Sequence, residues 1–95
     1  MAKGVKSIKG NASPKVGETN FYEVTSFYQG THIENENEIK WKLFVQEGNG
    51  SWRELKGPKK TGKKVPYLLP EKWIGRKMLI EAYIYNTEKK HFLQL

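Results

Sequence analysis

His32, Glu34, Glu36 and Glu38 recur at every second position of the chain. In an extended strand, side chains so spaced point the same way. One imidazole with three carboxylates is a donor set that can hold a divalent ion. Zinc sites, however, draw on more His or Cys, and calcium loops favour Asp, which this chain lacks entirely. The plainer reading is a solvated acidic loop, so no metal and no other cofactor is expected. Covalent catalysis would need a Ser, Thr or Cys beside a base and an orienting acid. The chain offers four Ser, several Thr, His32 and His91, but no Ser in a Gly-x-Ser-x-Gly elbow. Gly48-Asn49-Gly50-Ser51 reads instead as a hairpin turn, in which Asn-Gly supplies positive φ angles. Ten Glu could supply a hydrolytic carboxylate pair, but 95 residues leave little room for a deep cleft. The expectation is a protein that is not an enzyme.

Arg53, Lys56, Lys59, Lys60, Lys63 and Lys64 form the densest basic cluster, and Gly57-Pro58 and Gly62 mark it as a mobile loop. Such a loop can hold anionic groups with salt-dependent affinity; the alternative is a solubilising surface. The whole chain carries +7, from fifteen Lys and two Arg against ten Glu. That balance attracts nucleic acid, acidic lipid or an acidic protein face. The excess of Lys over Arg argues against specific base reading, where Arg forks dominate. In simple up-and-down order the basic loop lies at the same end as the acidic 32–38 loop, and the two partly neutralise each other.

The elements that must position these residues are strands. Ile39-Lys40-Trp41-Lys42-Leu43-Phe44-Val45 alternates with Ile39, Trp41, Leu43 and Val45 on one face, and residues 78–85 do the same with Met78, Ile80, Ala82 and Ile84. Residues 20–29 form a strand rich in aromatic and β-branched types. Tyr22, Val24, Ser26 and Tyr28 are its expected inward set, because Glu23 belongs in water. Residues 64–69 place Val65, Tyr67 and Leu69 on one face, with Pro66 demanding an edge or a bulge. Shorter strands are expected near 4–10, where the spacing of Val5 and Ile8 implies a bulge, and at 51–55, carrying Trp52 and Leu55. A last strand at 89–95 is expected to bury Phe92 together with Leu93 or Leu95. Trp73 and Ile74 are placed as plugs at a corner. About seven strands at roughly 8–12-residue spacing, with no helical period, describe an all-β antiparallel sandwich. Residues 1–95 are long enough for one domain. The apolar fraction is only 37%, yet 13% is aromatic, which suits a thin core of large residues.

The central Trp41, the later alternating strand with Ala82-Tyr83, and the lead-in Pro14-Lys15-Val16-Gly17-Glu18 together resemble an immunoglobulin-like domain of the cysteine-free bacterial kind. In that family Ala82 would stand near the second core cysteine of antibody domains. Ile80 stands where a tyrosine corner would have its Tyr. The resemblance implies an immunoglobulin-like fold and a non-catalytic interaction or spacer module, of the type found in exported or secretion-associated bacterial proteins.

Placing Trp41 inward sends Lys40, Lys42 and Phe44 outward; placing Ile80 inward sends Leu79, Glu81, Tyr83 and Tyr85 outward. The two strands lie side by side in an immunoglobulin-like sheet. The expected working surface is therefore Lys40, Lys42, Phe44, Leu79, Tyr83 and Tyr85, and the expected partner is a protein. The alternative is a small basic β-domain that binds nucleic acid or an anionic glycan through the Arg53–Lys64 cluster. The absence of cysteine excludes disulfides and Cys-based zinc. No apolar run approaches the roughly 18 residues of a membrane span. Met1-Ala2-Lys3-Gly4 lacks the apolar segment of a signal peptide. That leaves a chain retained in the cytoplasm, one exported by a leaderless route, or a piece of a larger exported protein.

Overall fold

Seven strands form wherever period-two alternation supplies one apolar face. In the computed structural model, which describes residues 3–56, 59–84 and 87–95 (Thr87 and Glu88 by their backbone alone), they are β1 (Val5–Gly10), β2 (Thr19–Phe27), β3 (Lys40–Gln46), β4 (Trp52–Glu54), β5 (Lys64–Leu68), β6 (Lys77–Ile84) and β7 (Thr87–Gln94). They make two antiparallel sheets, in the orders β1-β2-β5 and β4-β3-β6-β7. The result is an antiparallel β-sandwich whose fourth strand lies beside the third rather than in the first sheet. Pro66 lies on β5, an edge strand, where its missing N–H costs no ladder bond.

The core lies between the sheets. Trp41, Leu43 and Val45 of β3 and Met78, Ile80, Ala82 and Ile84 of β6 face Tyr22 and Val24 of β2 and Val65 and Tyr67 of β5, with Leu69 beyond its end. Trp41 pairs with Ala82 across β3–β6, so the largest side chain sits beside one of the smallest. The Trp41 indole N–H donates to the Gly62 carbonyl at 2.6 Å, which satisfies the one polar atom that this burial strands. Trp73 closes one end as expected. Ile74 does not; it is 58% exposed, because the short 3₁₀ turn Glu71–Trp73 ends there and sends the next side chain into water.

The segment after β4 explains how Trp41 is held. Trp41 N–H donates to Lys60 O at 2.8 Å, Gly62 N–H donates to Ile39 O at 2.9 Å, and Lys40 bridges Thr61. One residue later, Lys63 O already accepts from Val24 N of the other sheet at 2.8 Å. The chain thus changes sheets at Gly62, whose φ of 112° glycine alone adopts without strain. The expectation of a mobile basic loop is corrected for residues 60–63, which backbone hydrogen bonds pin to both sheets; Gly57 and Pro58 lie outside the described residues.

Three further expectations change in detail. In β2, Tyr22 and Val24 point inward as read, but beyond Thr25 it is Phe27, rather than Tyr28, that packs on the core. The change coincides with the irregular β1–β2 register at Ser7: Val5 pairs with Phe27 and Ile8 with Val24, so both strands switch inward parity together. The β3–β4 turn is a three-residue loop closed by Glu47 N to Ser51 O and Gly50 N to Glu47 O, with Gly50 at φ 88° in the left-handed position. Phe92 is 60% exposed rather than buried. It pairs with Leu79 and so shares the outer face, whereas Leu93 pairs with inward Met78 and packs on the core with Leu95.

Candidate interaction surface

Register alone assembles the outer face of the four-stranded sheet. Glu54, Phe44, Leu79 and Phe92 lie in one row across β4, β3, β6 and β7. Lys42, Glu81 and Lys90 form the next row, and Lys40 and Tyr83 the one beyond. On the other side, Trp52 pairs with Gln46 and Lys77 with Gln94. Lys40, Lys42, Phe44, Leu79 and Tyr83 are therefore brought together on one face, as the alternation implied; Tyr85 lies outside the described residues.

Two aromatic residues join them. Trp52 and Phe92 stand on opposite edges of the sheet, separated by two strands, or about 14 Å at the usual strand spacing. Yet their ring centroids are 6.0 Å apart at an interplanar angle of 54°. Both rings must lean inward to meet, and Leu79 lies between them in the register. Its burial to 8% exposure, on the face turned away from the core, is the consequence. The signal for Trp52 was present in the sequence: a three-residue loop sets Gln46 opposite Trp52, and Gln46 has the outward parity of Phe44. Phe92 could be placed only by choosing Leu93 and Leu95 as the inward pair.

Charge surrounds this apolar centre. Lys90 pairs with Glu81 at 3.8 Å and Lys60 with Glu54 at 3.6 Å, contacts that contribute about 0–1 kcal/mol each at such exposure. The Lys42 ammonium lies 5.8 Å from the Tyr83 ring centroid. Among the described residues no carboxylate pairs with Lys40, Lys42 or Lys77.

The acidic 32–38 segment is not extended, so its side chains do not share one direction. Glu36–Glu38 form a 3₁₀ turn capped by Asn35. The Glu38 carboxylate is occupied in accepting the N–H groups of Glu34 and Asn35, each at 3.0 Å. Nε2 of His32 lies 3.9 Å from Glu34. Among the described residues no three His, Cys, Asp or Glu side chains converge as a metal site. The segment does lie beside the basic one, with Thr61 Oγ1 donating to Asn37 Oδ1 at 3.3 Å.

Of the basic cluster, Arg53 pairs with Glu47 and Lys60 with Glu54. Lys64 lies over Phe21, and Lys63 is exposed, held through its backbone rather than its side chain. The strongly shifted titrating groups among the described residues are Tyr22 and Tyr67, stacked in the core at 5.5 Å. Burial first, and then the adjacent Tyr67, pushes the Tyr22 hydroxyl far above its ordinary value. Burial pushes Tyr67 up to about 12, an effect that its Tyr22 neighbour offsets only in part. Both face the inner layer, away from the Trp52–Phe92 surface.

No helix of the described residues is long and apolar enough to cross a membrane. The fold defines the chain as a seven-stranded antiparallel β-sandwich. Compared with known proteins, it matches no family model, no curated protein and no solved structure.

Proposed function

We propose that this domain is a non-catalytic interaction module that captures a protein through the outer face of its β4-β3-β6-β7 sheet. The resemblance to cysteine-free immunoglobulin-like domains extends the reading to a bacterial exported or secretion-associated assembly. The observation that carries the proposal is the Trp52–Phe92 contact above Leu79. Aromatic side chains gathered from opposite sheet edges form an apolar centre with a charged rim, the anatomy of a binding hot spot. The 54° angle between the rings makes a notch rather than a flat platform. A notch suits an aliphatic or aromatic side chain of a protein better than the flat face of a sugar. Lys40, Lys42 and Lys77 on the rim, without carboxylate partners among the described residues, favour acidic residues around that side chain.

Phe44→Ala combined with Phe92→Ala tests the reading. Neither residue belongs to the inner core, and Phe92 is mostly exposed, so the urea midpoint should change little. Capture of the partner in a pulldown should fall by about tenfold or more, the size of effect that hot-spot truncation produces. Unchanged capture with a preserved fold would reduce the domain to a spacer. The same measurement separates this reading from a purely electrostatic one, because aromatic-centred capture should vary little with salt.

A further inference from the structure

We infer a second binding site, for an anionic polysaccharide, in a basic trough along the edge where β4 and β5 leave the two sheets. Three open clefts meet there. The first holds Arg53, Lys56 and Lys72 beside Pro70 and Trp73. The second holds Lys56, Lys59 and Lys60 beside Tyr67 and the exposed Leu68. The third holds Lys59 and Lys64 beside Phe21. Leu55 and Lys56 belong to both the first and the second, and Lys59 and Pro66 to both the second and the third. The clefts are therefore one continuous surface lined by six cations, with Glu54 the one acidic residue lining it among the described residues.

Part of that charge is left without an ion pair, although Glu36 Oε1 and Lys59 Cε both lie against Gly62. Glu47 takes Arg53 and Glu54 takes Lys60, but no carboxylate pairs with Lys56, Lys59, Lys64 or Lys72 among the described residues. The sheet change at Gly62 pins residues 60–63 to both sheets, so Lys60 projects from a fixed backbone and Lys59 directly precedes it. Like charges held this close together repel, and a ligand carrying spaced negative groups relieves that repulsion. Lys72 is separated from the sequence cluster by the rest of β5 after Lys64 and reaches the trough through the Trp73 corner.

The ring faces decide which polyanion fits. The Lys64 ammonium lies 4.2 Å from the Phe21 centroid, and that of Lys72 lies 4.8 Å from the Trp73 centroid. Trp73 and Tyr67 are themselves buried. Phe21 is thus the one half-buried ring lining the trough among the described residues, with Lys64 over it, too few for the successive stacking that single-stranded nucleic acid binding relies on. Five of the six cations are Lys, point charges that suit dispersed carboxylates or sulfates better than they suit base edges.

The test uses the full chain, a fluorescent heparin oligosaccharide and an oligo-dT of equal formal charge, read by anisotropy. The oligosaccharide should bind at about 50 mM salt and weaken at about 200 mM, as counterion release requires. Oligo-dT should bind more weakly. Lys59→Gln with Lys64→Gln should reduce oligosaccharide affinity by about tenfold or more, from the loss of two contacts. Lys6→Gln with Lys89→Gln, which removes the same charge elsewhere, should change it little. Phe44→Ala with Phe92→Ala should leave it intact, so this site and the protein-binding face fail or stand separately. The inference is overturned if the oligosaccharide does not bind at low salt, if oligo-dT binds as well, or if the Lys6/Lys89 variant loses as much affinity as the Lys59/Lys64 variant.

Discussion

Trp41→Ala should leave this domain largely unfolded. Trp41 is 1% exposed at the centre of β3, and removing a buried side chain of this size costs about 3–5 kcal/mol. The substitution also strips the Gly62 carbonyl of its indole donor, which adds about 1–3 kcal/mol when the acceptor stays buried. A domain of this size holds only about 5–15 kcal/mol in total. The damage also spreads, because the same Gly62 marks the change of sheet, and loosening it frees residues 60–63 from both layers. Trp41→Phe keeps much of the ring packing but cannot donate, and should cost less than Trp41→Ala. Urea unfolding followed by far-ultraviolet circular dichroism checks both. An unchanged midpoint for Trp41→Ala would contradict the placement of this residue.

Stability should also fall steeply at alkaline pH, through Tyr22 and Tyr67. Each is raised above its unfolded value near 10, Tyr67 to about 12. Below pH 10 both states keep the phenolic proton, so the full stability is present. Between pH 10 and about 12 the unfolded chain releases these protons while the folded chain holds them. Each such group then costs about 1.4 kcal/mol per pH unit. Tyr67→Phe should flatten the decline and change stability at pH 7 by no more than about 1 kcal/mol, the net worth of the one contact its hydroxyl makes with Tyr22. The two proteins differ only at this hydroxyl, so the difference between their urea midpoints reports Tyr67 together with its effect on Tyr22. Parallel pH profiles would contradict the prediction.

Legibility followed the quality of the alternation. β3, β5 and β6 each bury one face in strict period two, and their inward residues could be read directly: Trp41 and Leu43, Val65 and Tyr67, Ile80 and Ala82. Where two apolar residues are adjacent, parity is lost; Phe92 and Leu93 compete for the same face, and only the pairing of Leu79 with Phe92 settles it. The irregularity in β1 was visible in the spacing of Val5 and Ile8, but the matching parity change from Val24 to Phe27 in β2 was not, since register is a property of two strands. The acidic segment carried its own correction, because Asn35 with Glu38 three residues on is a capping pair that favours a turn over a strand. The outer surface was half legible. Phe44, Leu79 and Tyr83 follow from the parity of β3 and β6, whereas the inward lean of Trp52 and Phe92 is a tertiary event between opposite edges. Lys72 was invisible for the same reason: nothing local ties it to Lys56.

The central claim is that the Trp52–Phe92 face, and not the opposite sheet, meets the partner. A photo-crosslinking amino acid placed at Phe92 in one variant and at Thr25 in another tests it most directly. Both positions are exposed, one beside the notch and the other on the three-stranded sheet. Irradiation in extract from the source cells should give a discrete protein adduct from position 92 and none from position 25. That adduct should vanish when Phe44→Ala is added. Adducts from position 25 alone, or equal adducts from both positions, would contradict the account.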